Sequence, residues 1–301
     1  MAKPHITARV YGGLGNQCFI YAAARALADR TGGQLILDPT VLALDRVYRR
    51  PYLLPEFFIR ADHIVTSANL LKLHFRRLHV RLQPRLPWRS RRWLFEQNPP
   101  SYQAEIANWH GTRATLDGFW QSERYFADDA GAIAADLTPR RTREFDEHPA
   151  ARQIKNAAHP AFLHVRSYRE VPGKQDGSFA LPMSYFQNAV ACIRGQVPQA
   201  HFFLFSDAPD WVRQRLRLPD GTSCTYVTPS GDATLSPLLD FHLMTLCRHA
   251  IVANSSFSWW AGWLGEQRWR RRGTAGLILR PAGHCMNVDY FPTRWQGVER
   301  I

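Results

Sequence analysis

Four short stretches of the chain gather residues that can hold an anion. The first is YGGLGN, residues 11–16, where Gly12, Gly13 and Gly15 stand between an extended segment and a helix. Glycines lack Cβ, so the backbone there can bend sharply and approach a ligand closely. The helix that follows turns its free N–H groups and its positive dipole end toward the same point, and Asn16 adds a side-chain amide. The spacing is GGxGN rather than GxGxxG, so the turn admits two readings, an anion cradle or a plain strand-to-helix corner. The second stretch is HVRS, where His164 and Arg166 alternate about Val165 and can face one side. Arginine presents a permanently charged planar fork to phosphate, although alone the pair reads better as a core histidine and a surface arginine. The third is FSDAP, whose Asp207 ends an apolar strand. It reads equally as an acceptor for a base or ribose and as the N-cap of the next helix. The fourth is ANSSFSWW. Asn254, Ser255, Ser256 and Phe257 open a helix whose first N–H groups are exposed, with Ser258 as a further donor, and this start reads as a phosphate site. Trp259 and Trp260 read as core rather than as a stacking platform.

Each stretch lies at the carboxyl end of an expected strand, where open parallel sheets bind their ligands. HITARV alternates as a strand, the glycine turn follows, a helix runs over 16–30, TGG stops it, and QLILD is the next strand. That is a β-α-β unit. From about 40 to 150 the pattern is less regular. It holds the island TLDGFWQSERYF and a polar stretch, 138–153, with Pro139 and Pro149. Beyond it, short apolar strands alternate with helices through AGLILRP, which predicts a parallel sheet covered on both faces. The expected architecture is α/β, with two Rossmann-like domains, 1–152 and 153–301, facing a central cleft. The last residues have room to pack back on the first domain.

The 301 residues suffice for two such cores, and 45% hydrophobic with 21% charged residues is ordinary for a globular chain. No run of 18 apolar residues predicts a membrane span, and the N-terminus lacks the apolar segment of a signal peptide. Five scattered cysteines without CxxC spacing argue against a disulfide framework or zinc and suit a reducing cytoplasm. A net charge of +13 points to an acidic partner. Much of it sits in KLHFRRLHVRLQPRLPWRSRRW, residues 72–93, whose leucines recur at helical spacing. The segment reads either as a peripheral contact with an anionic membrane or as a solvated helix packing its leucines inward. No nucleic-acid signature accompanies it.

Taken together the stretches carry a resemblance. GGLGNQCFIYAAARAL resembles the opening motif GGLGNQMFQYAxARAL of the α-1,2-fucosyltransferase family of glycosyltransferases. GFWQSERYF, LPMSYFQNAV, FFLFSDAPDWV and DFHLMTLCRHAIVANSSFSWWAGWL follow in the family's order across residues 10–265. One motif departs. The family's HxRRGD is HVRSYRE here, with His164 and Arg166 kept, Ser167 in place of the second arginine and Arg169 at the acid position. Roles at those two positions do not carry over, and Glu170 is a neighbouring acid.

The resemblance implies a GT-B fold and an inverting transfer of L-fucose from GDP-fucose to a galactoside 2-hydroxyl. It implies no metal or other cofactor, and no DxD pair is present. Donor binding falls on Gly13, Gly15, Asn16, His164, Arg166, Asp207, Asn254, Ser255, Ser256 and Phe257. Arg166 offsets charge on the departing diphosphate, while Asp117 and Glu123 are candidate bases. A bacterial surface glycan such as O-antigen, with a lipid-linked acceptor at the inner face of the plasma membrane, fits this reading. Transfer of another GDP-hexose, or glycan binding without turnover, are the alternatives.

Overall fold

The computed structural model describes residues 3–66, 92–98, 100–228, 235–283 and 287–300. All but the last two residues of the basic segment 72–93 lie outside this set. The chain divides into two compact units, Met1–Leu137 with Met286–Tyr290, and Thr138–Cys285 with Phe291–Ile301.

In the first unit β1 (His5–Arg9), α1 (Leu14–Thr31) and β2 (Gln34–Asp38) form the β-α-β start. α2 (Thr40–Leu44), β3 (His63–Ile64), β4 (Trp93–Phe95), α3 (Ala104–Ala107), β5 (Arg113–Asp117) and α4 (Ala130–Asp136) follow. The sheet runs β3-β2-β1-β5-β4, and its pairings are parallel. β5 therefore lies directly beside β1, with Thr7 opposite Thr115. Strands β3 to β5 fall in the stretch whose sequence shows no regular pattern, because two- to five-residue strands are too short to display a period.

α1 begins at Leu14, two residues before its expected start, because Gly13 is its N-cap. It is buried almost all round, and its run of alanines lets neighbours approach closely. Gly32 ends it at φ +61°, where its N–H reaches back to the carbonyls of Ala28 and Asp29. Polar groups lock its sides. The Tyr21 hydroxyl donates to Asp136 at 2.8 Å, and Arg60 Nε reaches the same carboxylate at 2.8 Å.

The second unit holds α5 (Thr142–Asp146), α6 (Pro149–Asn156), β6 (Pro160–Val165), α7 (Met183–Gln196), β7 (His201–Ser206) and α8 (Pro209–Arg215). β8 (Cys224–Tyr226), α9 (Leu235–Leu246), β9 (His249–Ile251), α10 (Ser256–Arg270), β10 (Ile278–Pro281) and β11 (Gln296–Val298) complete it. The sequence places the domain boundary after residue 152, whereas the units part at Leu137–Thr138. The reason is packing: α5 and α6 lie on α9, bury Phe145, Ala151 and Ile154, and set Asp146 2.8 Å from His242 Nε2. The returning C-terminal segment is 286–290, where Asp289 accepts from Tyr102 N and Arg124, while β11 pairs with β10.

This sheet runs β11-β10-β9-β6-β7-β8, again with parallel pairings. From β6 the chain winds outward through β7 to β8, then crosses back to β9 on the other side. That is the doubly wound order of dinucleotide-binding folds, with its switch point between β6 and β9. β6 is buried along its whole length, as a central strand covered on both faces must be. Trp259, Trp260 and Trp263 of α10 are fully buried against one another, so the tryptophan pair is core.

Candidate active site

The switch point of the second unit collects its predicted residues from three strand ends. Beyond β7, the Asp207 carboxylate takes four donors from the loop after β6. They are Arg166 Nη1 at 2.6 Å, Ser167 N at 2.7 Å, Ser167 Oγ at 2.9 Å and Tyr168 N at 3.0 Å. The other terminal nitrogen of Arg166 pairs with Glu170. Asp207 thus anchors the arginine and its loop. It does not cap α8, whose N-cap is Ala208. Ser167, which stands where the related motif has arginine, is buried with its hydroxyl turned to Asp207.

Beyond β9, Asn254 and Ser255 lead into α10. No side chain caps this helix, so its first N–H groups stay available. Ser256 and Phe257 sit in that first turn. Ser258 is different: it is fully buried and accepts from Ala253 N at 3.1 Å, so it braces the turn from within instead of serving as a further donor. Asn254 Nδ2 donates to the Phe179 carbonyl at 2.8 Å.

His164, at the end of β6, packs its ring 5.7 Å from that of Phe257. Burial, reinforced by the charge of Arg166, pulls its pKa down to about 3, so the imidazole is neutral. Its Nδ1 is buried without a hydrogen-bond partner among the described residues. An orphaned buried polar atom costs about 1–3 kcal/mol, which a ligand group placed there would recover.

Two features of these elements escaped the sequence reading. Tyr168 has φ +59°, a left-handed conformation that favours glycine, and its hydroxyl reaches across the switch point to the Asn254 carbonyl at 2.5 Å. Asp240 interrupts an apolar run on α9, next to Phe241, whose ring lies 5.5 Å from Phe257. Burial alone raises its carboxyl to about 7. The unfolded chain ionises this acid near 4 and the folded chain only near 7. Its contribution to stability is therefore full below pH 4 and is lost as pH rises toward 7. Asp240→Asn should gain stability progressively relative to wild type between pH 5 and pH 8, by about 3 kcal/mol over that range. Calorimetric melts across that range check this, and a constant difference would refute it.

The first unit has its own switch point, between β1 and β5. Gly12 adopts φ +79°, and a Cβ there would sit 2.9 Å from Asn16 Nδ2 and 3.2 Å from Phe119. At Gly13 a Cβ would meet nothing within 4 Å, so the turn is open on that side. Gly15 is buried in α1, which also lacks a side-chain cap. The Asn16 side-chain oxygen Oδ1 accepts from Gln121 Nε2 at 2.9 Å. Asp117 is paired with Arg9, and its carboxyl is raised chiefly by burial, against the opposing pull of Arg9 and the Tyr11 hydroxyl. Its oxygens are thus engaged. Glu123 opens a short helical turn that Ser122 caps. The sequence reading overlooked Glu96, whose carboxylate takes the Phe119 and Trp120 N–H groups at 2.8 and 3.0 Å. Gly118 makes room for it, since a Cβ there would lie 2.5 Å from Glu96 Cβ.

Among the described residues no cluster of three or more His, Cys, Asp or Glu side chains is arranged to hold a metal ion, and no helix is long and apolar enough to cross a membrane.

Comparison with known proteins follows the same lines. An Escherichia coli α-1,2-colitosyltransferase is 26% identical over 98% of this chain and 99% of its own. The Escherichia coli O-antigen biosynthesis glycosyltransferase WbnK is 28% identical over 84% of this chain and 88% of its own. A variant of Arabidopsis thaliana FUT1, solved in complex with GDP, superposes with a TM-score of 0.53 at 12% identity. It covers 94% of this chain and 71% of its own. Two parallel-sheet α/β units of this kind make the fold GT-B-like. The profile of Glycosyl transferase family 11 matches residues 116–268, a span that begins at the end of β5 and includes the Arg166–Asp207 cluster and most of α10. The chain is a glycosyltransferase and belongs to glycosyl transferase family 11.

Proposed function

We propose that the chain transfers L-fucose from GDP-fucose to the 2-hydroxyl of a galactoside, with inversion and without a metal, in the assembly of a bacterial surface glycan. The observation that carries this is the β6–β9 switch point. There a guanidinium oriented by Asp207, the uncapped start of α10 and the unpaired Nδ1 of a neutral histidine meet at one strand edge. A diphosphate accumulates negative charge as the sugar leaves. Arg166 and the N–H groups around Ser256 and Phe257 would offset it, each such donor contributing about 3–4 kcal/mol to barrier lowering. His164 would take a hydrogen bond from the nucleoside. In the first unit, Gly13 and Asn16 remain candidate donor-binding residues and Glu123 a candidate base, while Asp117 is engaged with Arg9. A lipid-linked acceptor, brought close by membrane contact of the basic segment, belongs to the same reading.

The name of the colitosyltransferase relative supports a second reading, in which the donor carries a different deoxy sugar. A screen of GDP-hexoses against galactoside acceptors, with products read by mass and by anomeric and linkage NMR, separates the two. The expected product is an α-1,2-fucoside whose formation EDTA leaves unchanged. Transfer abolished by EDTA and restored by magnesium, or no transfer from any GDP-hexose, would defeat the proposal.

A further inference from the structure

Resting on that donor reading, we propose that Lys174 is a second phosphate-binding cation of the donor site, in the loop that follows β6. Arg166 is paired with both Asp207 and Glu170, so much of its charge is already offset. Arg166 alone leaves that corner unattractive to a diphosphate. Ser167, its neighbour, is neutral and buried.

Lys174 is placed to correct this. Its ammonium stands 3.9 Å from the Phe179 ring and 5.3 Å from the Tyr168 ring, and the Arg166 guanidinium lies 5.0 Å from the same Tyr168 ring. Contacts of this kind hold a cation in place while leaving its N–H donors unspent. Lys174 is half-buried, and no carboxylate among the described residues pairs with it. The Tyr168 ring and the Phe179 backbone are both held by one residue of the switch point. Asn254 accepts the Tyr168 hydroxyl on its carbonyl and donates its amide to the Phe179 carbonyl. The left-handed backbone of Tyr168, a conformation costing about 1–3 kcal/mol in a non-glycine residue, is what turns its ring to this position. The strain is thus tied to a ring that two cations share.

Calorimetric titration of the full chain with GDP and GMP, at low and moderate salt, tests the assignment. Lys174→Ala should bind GDP about tenfold more weakly and with a shallower salt dependence. The loss should be smaller for GMP, which carries less charge, and Lys174→Arg should recover most of the affinity. Wild-type GDP binding matched within twofold by Lys174→Ala would overturn the assignment alone. The same holds if the loss appears in Arg169→Ala, an exposed cation of the same loop, and not in Lys174→Ala. A wild-type chain indifferent to GDP would overturn the donor reading and this assignment together.

Discussion

Arg166→Ala should lower turnover with GDP-fucose by two to three orders of magnitude while the chain remains folded. Removing one preorganised donor from a site of developing negative charge typically costs about 10²–10³ in kcat, and Arg166 is as preorganised as a side chain can be. Asp207 holds one terminal nitrogen at 2.6 Å, Glu170 holds the other, and the Tyr168 ring lies alongside. Its loss also leaves Asp207 and Glu170 uncompensated, so repulsion of the diphosphate adds to the missing attraction. Arg166→Lys should recover little, because an ammonium cannot span two carboxylates and a ligand at once. The measurement is kcat and KM by GDP release, with circular dichroism and a thermal melt on the same preparation. Activity within threefold of wild type, in a folded protein, would remove Arg166 from the mechanism.

Asp207→Ala should lose both stability and activity, and the two losses have different origins. The carboxylate satisfies two backbone N–H groups, a hydroxyl and a guanidinium. Orphaning such donors costs about 1–3 kcal/mol each when they are fully buried. Solvent reaches part of this loop, so about 3 kcal/mol in all is expected, or roughly 6–12 °C in the melting temperature of a unit this size. Turnover should fall about a hundredfold, because Asp207 acts through Arg166. That mediated role makes the decisive test a double variant. Combined with Arg166→Ala, Asp207→Ala should add almost nothing to the loss of kcat while still lowering the melting temperature. Multiplying losses in kcat would show instead that Asp207 meets the substrate on its own account.

Much of the fold was legible because its signals are local. Glycines at 12, 13 and 15, the Gly32 stop and the alternation of apolar strands with helices each report on neighbours a few residues away. The run HVRS to AIVANSS already places the β6 and β9 ends at sequence level, and their pairing side by side follows from the strand order. What escaped the reading was non-local. β5 became visible only as the partner of β1, and α5 and α6 joined the second unit because Phe145 and Asp146 pack on α9.

Residue types and spacing by themselves determined that this chain builds two parallel-sheet units and that glycine- and serine-rich turns stand at their strand ends. Periodicity, helix starts and glycine turns are properties of short segments. The division of labour among those residues was decided by tertiary structure. Asp207 serves an arginine forty-one residues before it, Ser258 faces inward, Asp117 is spent on Arg9, and Tyr168 accepts backbone strain to reach Asn254. A carboxylate's role depends on which charges and donors surround it in space, and only the folded chain brings those partners within hydrogen-bonding distance.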